Sequence, residues 1–287
     1  MKDFEYIEPS TLKEATQLLF DHAGKAQVLA GGVHLVPKMR KGEIKLECLV
    51  NIQKIPGLDY VKPDGKRGLK FGAMAKLRSM EISKTVQSDY PVLYEAIHQI
   101  TSVQAKYMGT AVGNLCVATP ASDVATALMA LGAQLKIAGA RRERTEPIEK
   151  FYPGYHRTSL KRGEMVAGVF LPKSRPGTGT SFLNLVRTHS DIAKISVAVA
   201  VTLEDSICRE ARIAIGGAAP TVLRAGKAEA LLKGQKMTPL VIREAAEIGA
   251  AETRPITDLR STAEYRKEMA RVLVRRALEK AMEKAEA

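Results

Sequence analysis

The stretch Gln27-Val28-Leu29-Ala30-Gly31-Gly32-Val33-His34-Leu35 decides how the first part of the chain folds. A short apolar run stops at two adjacent glycines and then resumes, which predicts a strand followed by a backbone turn. Because glycine has no Cβ, Gly31 and Gly32 can adopt positive φ and present successive N–H groups to an anion such as a diphosphate. An ordinary turn gives the same pattern, so the rest of the chain has to distinguish the two.

A second glycine-rich segment, Gly109-Thr110-Ala111-Val112-Gly113-Asn114-Leu115, occurs further along the chain. Small and apolar residues flank it. The stretch Thr119-Pro120-Ala121-Ser122-Asp123 then has the pattern of a helix N-terminus. We predict a glycine loop here, and two such loops could close on one extended ligand.

Hydrophobic periodicity predicts a mixed α/β arrangement in the first part of the chain. Thr11-Leu12-Lys13-Glu14 has the spacing of a capping box, and the segment between 139 and 164 is predicted to be a surface loop. The predicted helices span about 12–22, 79–86, 91–100 and 123–131, and the predicted strands span about 28–30, 46–52, 68–73, 134–138 and 165–171.

The pattern changes beyond residues 172–179, which have the composition of a linker. We predict a domain boundary near residue 175. Three consecutive strands follow, for which antiparallel pairing is the economical interpretation, and then three helices. The predicted strands span about 180–186, 195–203 and 209–215, and the helices about 225–232, 239–251 and 262–284.

Composition narrows the class of protein. At 287 residues and 45% hydrophobic content, the chain is long enough for about two domains. No signal-peptide pattern and no apolar run of membrane-spanning length is found, so we expect no membrane span and a cytoplasmic location. The net charge of +13 is spread along the chain, and few aromatic residues accompany it. A solvated surface, or a face for an acidic partner or substrate, is therefore favoured over nucleic-acid binding.

The usual motifs of catalysis and metal binding are missing from the sequence. Cys48, Cys116 and Cys208 are scattered singly, and the five histidines are isolated, so we expect no metal site and no iron–sulfur cluster in this chain. Neither a Rossmann glycine motif nor a P-loop is present.

Both glycine segments, in this order, carry a resemblance to a known family. Ala30-Gly31-Gly32-Val33-His34-Leu35, Gly109 to Leu115 and Ala118 to Asp123 resemble the FAD-binding medium subunit of molybdenum hydroxylases, the carbon monoxide dehydrogenase and xanthine dehydrogenase family. The likeness extends over nearly the whole chain, and its further blocks lie at 182–193, 211–221 and 255–266.

The resemblance implies an α+β fold with a two-lobed FAD-binding domain of the vanillyl-alcohol-oxidase (PCMH-type) kind. That domain would span 1–175, with lobes at about 1–55 and 56–175, and a C-terminal domain of antiparallel strands and helices would span 176–287. Carried onto this sequence, the first segment would wrap the FAD diphosphate and the second would hold it from the other lobe. Asp123 is either a cofactor contact or simply a helix N-terminal residue, and Ile192 either touches the flavin ring or belongs to a core strand. The cofactor-binding set is Leu29, Ala30, Gly31, Gly32, Val33, His34, Leu35, Thr110, Ala111, Val112, Gly113, Asn114, Asp123 and Ile192.

Three positions depart from the family pattern. Val33 stands where Thr or Ser is frequent, Val112 stands where a second glycine is frequent, and Asn184 replaces a common lysine. We therefore expect some loss of backbone freedom in the second segment.

By the same resemblance, the function is electron transfer. An iron–sulfur small subunit would pass electrons from a molybdopterin large subunit to FAD in this chain, which would deliver them to an external acceptor. The expected assembly is a dimer of heterotrimers, and no residue of this chain is expected to be catalytic. Two alternatives remain open at this point: a self-contained FAD-dependent oxidase or reductase, and a non-enzymatic basic protein that binds nucleic acid or an acidic partner.

Overall fold

The computed structural model describes residues 3–188 and 191–287; His189 and Ser190, which fall inside the 182–193 block, lie outside the described residues. The fold is of the predicted α+β class, with three sheets and eleven α-helices in that part of the chain. No helix there is long and apolar enough to cross a membrane.

The first sheet is small and parallel. Its strand order is β1-β3-β2, so that β3 lies in the middle. The elements of this region are β1 (Glu5–Ile7), α1 (Leu12–Asp21), β2 (Ala26–Leu29), α2 (Leu35–Arg40) and β3 (Cys48–Asn51).

Helix α1 begins where the capping pattern predicts. The Thr11 hydroxyl accepts a hydrogen bond from the Glu14 N–H at 3.1 Å. The Glu14 carboxylate accepts from the Ser10 N–H rather than from that of Thr11, so the capping box is closed one residue earlier than the standard motif. Ala15 is fully buried on the face that packs against the main core.

The second sheet is antiparallel, with strand order β4-β5-β8-β6-β7. Its strands are β4 (Val61–Pro63), β5 (Gly68–Gly72), β6 (Gln134–Gly139), β7 (Arg144–Pro147) and β8 (Glu164–Pro172). The helices between β5 and β6 are α3 (Leu77–Glu81), α4 (Lys84–Asp89), α5 (Pro91–His98), α6 (Val103–Met108), α7 (Ala111–Cys116) and α8 (Asp123–Ala130).

Two predictions for this region are wrong. The single helix expected at 79–86 is two short helices, because the Ser83 hydroxyl accepts from the Val86 N–H and starts α4 anew. The expected surface loop contains strand β7, in which Arg144 pairs with Glu164 of β8 at 2.8 Å and also with Glu146. A charged strand at a sheet edge lacks the apolar alternation on which the prediction relied.

The third sheet is antiparallel throughout, as predicted, with strand order β12-β11-β10-β9. Successive residues of its strands face opposite sides of the sheet. Ala198 packs in the core that also contains the second sheet, whereas Val197 and Val199 pack with the C-terminal helices. The sheet therefore lies between helices α5 and α8 on one side and α9 and α11 on the other, and α10 packs against α9 and α11. The elements are β9 (Thr178–Leu185), β10 (Ile195–Glu204), β11 (Ile207–Gly216), β12 (Leu223–Arg224), α9 (Gly226–Leu232), α10 (Pro239–Glu252) and α11 (Ala263–Glu286).

Candidate functional site

A cleft of about 830 Å³ brings the two glycine segments together. This volume is in the range of small-molecule and cofactor sites. The N-terminal end of α8 and the segment 191–193 also line it. Twelve of the predicted residues line this cleft: Ala30, Gly31, Gly32, Val33, His34, Leu35, Thr110, Val112, Gly113, Asn114, Asp123 and Ile192.

The other two predicted residues are placed elsewhere. Leu29 packs beside the small cluster of Met39, Leu46 and Leu49 beneath the first sheet. Ala111 is fully buried in the main core, although its neighbours line the cleft. Ile192 has 55% of its surface exposed, so it is not a core-strand residue.

The first glycine turn touches the second segment directly. Gly32 has φ +72°, which L-residues rarely adopt, and a Cβ on Gly31 would lie 2.2 Å from the Met108 carbonyl oxygen. Val33 packs at the same contact, since a Cβ on Gly109 would lie 3.7 Å from its Cγ2. Glycine is therefore required at 31 by the approach of the second segment.

The backbone N–H groups of the first turn are available to a ligand. Among the described residues, no protein acceptor is found for the N–H groups of residues 31–34. These groups lie in a turn that lines the cleft. Successive free N–H groups of this kind form an anion-binding concavity.

The second segment is not a loop, contrary to the sequence expectation. Thr110 caps the short helix α7, and its hydroxyl accepts from the Gly113 N–H at 2.9 Å. The Ala111 N–H donates to the Ala75 carbonyl, and the Asn114 N–H donates to that of Thr110. The N–H groups of Ala111, Gly113 and Asn114 are thus already used. Those of Thr110 and Val112 have no acceptor among the described residues, so this segment offers fewer N–H groups to the cleft than an open loop would.

Asp123 is a half-buried carboxyl with one unpaired oxygen. Its Oδ1 is buried and has no hydrogen-bond partner among the described residues, whereas Oδ2 accepts a long bond of 3.4 Å from Asn184. Burial raises the pKa of Asp123 from 3.8 to about 6, and the neighbouring polar groups of Ser196 and Asn184 partly oppose this shift. Ser122, not Asp123, caps helix α8, so capping does not account for the carboxyl.

Two histidines face each other in the cleft. The rings of His34 and His156 are stacked with centroids 6.3 Å apart, and His156 Nδ1 lies 2.9 Å from the Val117 carbonyl oxygen. Burial, with smaller contributions from the charges of Lys38 and His156, lowers the pKa of His34 from 6.5. The sequence analysis missed His156 and Lys38 as cleft residues. Lys38 lies four residues after His34 on α2, a spacing that indicates a shared helix face, but nothing in the sequence places His156 here.

Comparison with known proteins agrees with this geometry. The family "FAD binding domain in molybdopterin dehydrogenase" matches residues 2–174, and "CO dehydrogenase flavoprotein C-terminal domain" matches residues 180–281. The carbon monoxide dehydrogenase medium chain of Hydrogenophaga pseudoflava is 32% identical over 275 residues, covering 96% of this chain and 96% of that protein. The xanthine dehydrogenase FAD-binding subunit of Escherichia coli O157:H7 is 26% identical, covering 98% and 97%.

Solved structures show the same fold. A chain of carbon monoxide dehydrogenase from Hydrogenophaga pseudoflava, in a form lacking the Mo-pyranopterin moiety, superposes with a TM-score of 0.95 at 32% identity, covering 99% of this chain and 98% of that chain. The predicted family is therefore confirmed: the chain belongs to the FAD-binding medium subunits of molybdenum hydroxylases, the carbon monoxide dehydrogenase and xanthine dehydrogenase family.

Proposed function

We propose that this chain binds FAD in the cleft between its glycine segments and transfers electrons through it within a molybdenum hydroxylase complex. The observation that best supports this proposal is the close approach of Gly31 to Met108. It brings the N–H groups of the first turn beside the second segment, and both line one cleft. Such a cleft suits an extended ligand with an anionic middle.

The residues present fit this cofactor. The free N–H groups of the first turn would hold the diphosphate, with Lys38 as a nearby positive charge and the His34 and His156 imidazoles beside it. The unpaired Oδ1 of Asp123 would accept a hydrogen bond from a donor on the cofactor. The long hydrogen bond from Asn184 leaves Asp123 free to make this contact.

The second segment would support the cofactor through side chains. Thr110 and Asn114 line the cleft, and Asn114 is held in place because Ser122 donates a hydrogen bond to its Oδ1. This bond joins the second segment to the start of α8, next to Asp123. The Val112 side chain is buried, so a valine in place of the family's frequent glycine places little side-chain surface in the cleft.

FAD supplies the redox chemistry when it is bound, and the chain supplies binding and orientation. We therefore assign no acid, base or nucleophile to this chain. We propose that electrons arrive from an iron–sulfur small subunit, which receives them from a molybdopterin large subunit, and leave to an external acceptor. The relatives named as a medium chain and as an FAD-binding subunit support this division of labour.

The proposed assembly is a dimer of heterotrimers in the cytoplasm. Three free cysteines agree with a reducing compartment. We further propose two domains, 1–175 and 176–287, the first with lobes at about 1–55 and 56–175. The first and second sheets lie in these lobes, and the third sheet begins at Thr178.

Purification of the native complex through a tag on this chain tests the proposal. We expect equimolar FAD together with two further subunits carrying molybdenum and iron. A yellow chain that purifies alone and oxidises a substrate unaided would favour the self-contained oxidase instead. A colourless chain that binds DNA with a steep salt dependence would overturn flavin binding altogether.

The variant Gly32→Val tests the first turn itself. Gly32 has φ +72°, and its Cβ would lie 3.2 Å from Val36 Cγ2, so a valine strains the turn at the anion site. We expect lower FAD content in a chain that still folds, as judged by circular dichroism. Unchanged flavin content would remove the first turn from the site.

A further inference from the structure

Glu5, His22 and Cys48 come together at the edge of the first sheet, away from the cleft. One ligand atom from each, the Glu5 carboxylate oxygen, a His22 ring nitrogen and the Cys48 Sγ, lies within 4.8 Å of the other two. These residues are distant in sequence, which is why the spacing of cysteines and histidines gave no sign of them.

The fold itself brings the three residues together. Glu5 and Cys48 are register partners at the start of the parallel strands β1 and β3. His22 is the C-cap of α1, and its carbonyl accepts from the N–H of Ala26, the first residue of β2 and also a register partner of Cys48. The cluster therefore lies at the amino ends of all three strands. The glycine turn lies past their carboxyl ends, roughly 10 Å of strand away.

The three ligand atoms have no bonding partner elsewhere in the described part of the chain. Within the described residues, the side chains of Glu5, His22 and Cys48 make no hydrogen bond or ion pair with another group. Lys25 and Glu47, two charged residues close to the cluster along the chain, pair with each other at 2.8 Å and are both largely exposed. The three ligand atoms thus lie close together, and each is free of other hydrogen bonds and ion pairs within the described residues.

The Glu5 carboxylate and the Cys48 thiol lie side by side, and a divalent metal ion between them would hold the thiol in its thiolate form. Cys48 is fully buried, whereas Glu5 is exposed and gives an ion a path from solvent.

We propose that Glu5, His22 and Cys48 bind one Zn²⁺ ion, with water in the fourth position. Thiolate, imidazole and carboxylate are all zinc ligands, and in a tetrahedral site the ligand atoms are about 3.3–3.7 Å apart, so closing the cluster takes a shift of ~1 Å in the side chains. Binding displaces the Cys48 thiol proton to solvent and involves no oxidation. The ion joins the end of α1 to the starts of β1 and β3, and so fixes the small first sheet independently of FAD.

Metal analysis of the tag-free, full-length chain tests this site. After removal of metals by a chelator, the chain is dialysed against Zn²⁺ and the bound zinc is measured by mass spectrometry. We expect one zinc per chain, and at least a tenfold weaker affinity in Cys48→Ser and His22→Asn. The thermal unfolding midpoint should rise with zinc in the unsubstituted chain but not in these variants.

Two matched variants serve as controls. Cys208→Ser removes another buried thiol, and Glu47→Gln removes a neighbouring acid that is not a ligand. We expect both to retain the zinc, and we expect the FAD content to be the same in all four variants.

X-ray absorption of the zinc-loaded, unsubstituted chain keeps the test decisive if Cys48→Ser does not fold. One sulfur at about 2.3 Å and nitrogen or oxygen ligands at about 2.0–2.2 Å are expected. A coordination sphere without sulfur, less than stoichiometric zinc in the unsubstituted chain, or equal retention by Cys48→Ser would each overturn the proposal.

Discussion

Replacing Asp123 by asparagine changes how the stability of the FAD-free chain depends on pH. The pKa of Asp123 rises from 3.8 to about 6 on folding because the carboxyl is buried with Oδ1 unpaired. A carboxyl group whose pKa is raised by folding does not destabilise the folded state below its unfolded pKa, where it is protonated in both states. As the pH rises through the unfolded and then the folded pKa, the free energy of unfolding falls. Since a tenfold change in an ionisation constant is ~1.4 kcal/mol, ionised Asp123 costs the free chain up to ~3 kcal/mol.

Asparagine does not titrate, so the difference between variant and unsubstituted chain isolates this effect. We compare the free energy of unfolding of Asp123→Asn with that of the unsubstituted chain at each pH. From about pH 4.5 to about pH 7.5 this difference should shift by ~2 kcal/mol in favour of the variant. Any cost of the amide itself does not depend on pH and leaves the shift unchanged. Urea unfolding followed by circular dichroism at several pH values measures it. The control is Asp191→Asn, because Asp191 also lines the cleft but pairs with Arg187 at 3.0 Å. If the stability of Asp123→Asn and that of the unsubstituted chain change in parallel over this pH range, Asp123 does not have the raised pKa on which the prediction depends.

Three further substitutions test two contacts of the cleft and one buried ion pair between helices α3 and α6. Gly31→Ala places a Cβ 2.2 Å from the Met108 carbonyl oxygen, so the two segments must separate and FAD content, read by absorbance after desalting, is expected to fall. Thr110→Ala removes the cap of α7 and should cost ~1 kcal/mol of stability and weaken FAD affinity, measured by titration calorimetry. Lys106→Met removes the 2.7 Å ammonium partner of the buried Glu81 carboxylate, which keeps its 2.7 Å ion pair with Arg78, and is expected to cost ~2 kcal/mol in urea unfolding.

Each of these substitutions has a matched control in the same chain. Gly226→Ala adds a methyl group that meets no described atom within 4 Å beyond its own stretch of helix, and should keep the full FAD content. Thr238→Ala removes the equivalent cap of α10 and should cost similar stability without changing FAD affinity. Lys25→Met breaks an exposed ion pair with Glu47 and should cost less than ~1 kcal/mol. An equal loss of FAD binding in Gly31→Ala and Gly226→Ala, or in Thr110→Ala and Thr238→Ala, would show that the cleft contact is not the cause. A stability cost of Lys106→Met no larger than that of Lys25→Met would contradict the prediction for the buried ion pair.

The sequence predicts those elements whose signals are local. Thr11 caps α1 as its pattern indicates, α11 begins next to the predicted start at residue 262, and the three consecutive strands predicted beyond residue 179 form the antiparallel third sheet. Strand β7 was missed, because the ion pair that Arg144 makes with Glu164 of β8 stabilises it without an apolar face. The same limit hides the split between α3 and α4, which depends on the Ser83 side chain.

In the cleft, the sequence indicates which segments take part but not how they meet. The Gly31–Gly32 pair predicts a turn, yet the reason for glycine at 31 is the Met108 carbonyl of a distant helix. Likewise, the Thr110 hydroxyl that caps α7 accepts the Gly113 N–H, which a loop would have left free. His156 reaches His34 across the cleft by a long-range contact that no local pattern encodes.

The most direct test of the account is titration of the flavin-free chain with FAD. We predict one tightly bound FAD per chain, with binding weakened by Gly32→Val and by Gly31→Ala but unchanged in Gly226→Ala. A chain that binds no FAD, or that binds it equally well in all of these variants, would contradict the assignment of the cleft between the two glycine segments as the cofactor site.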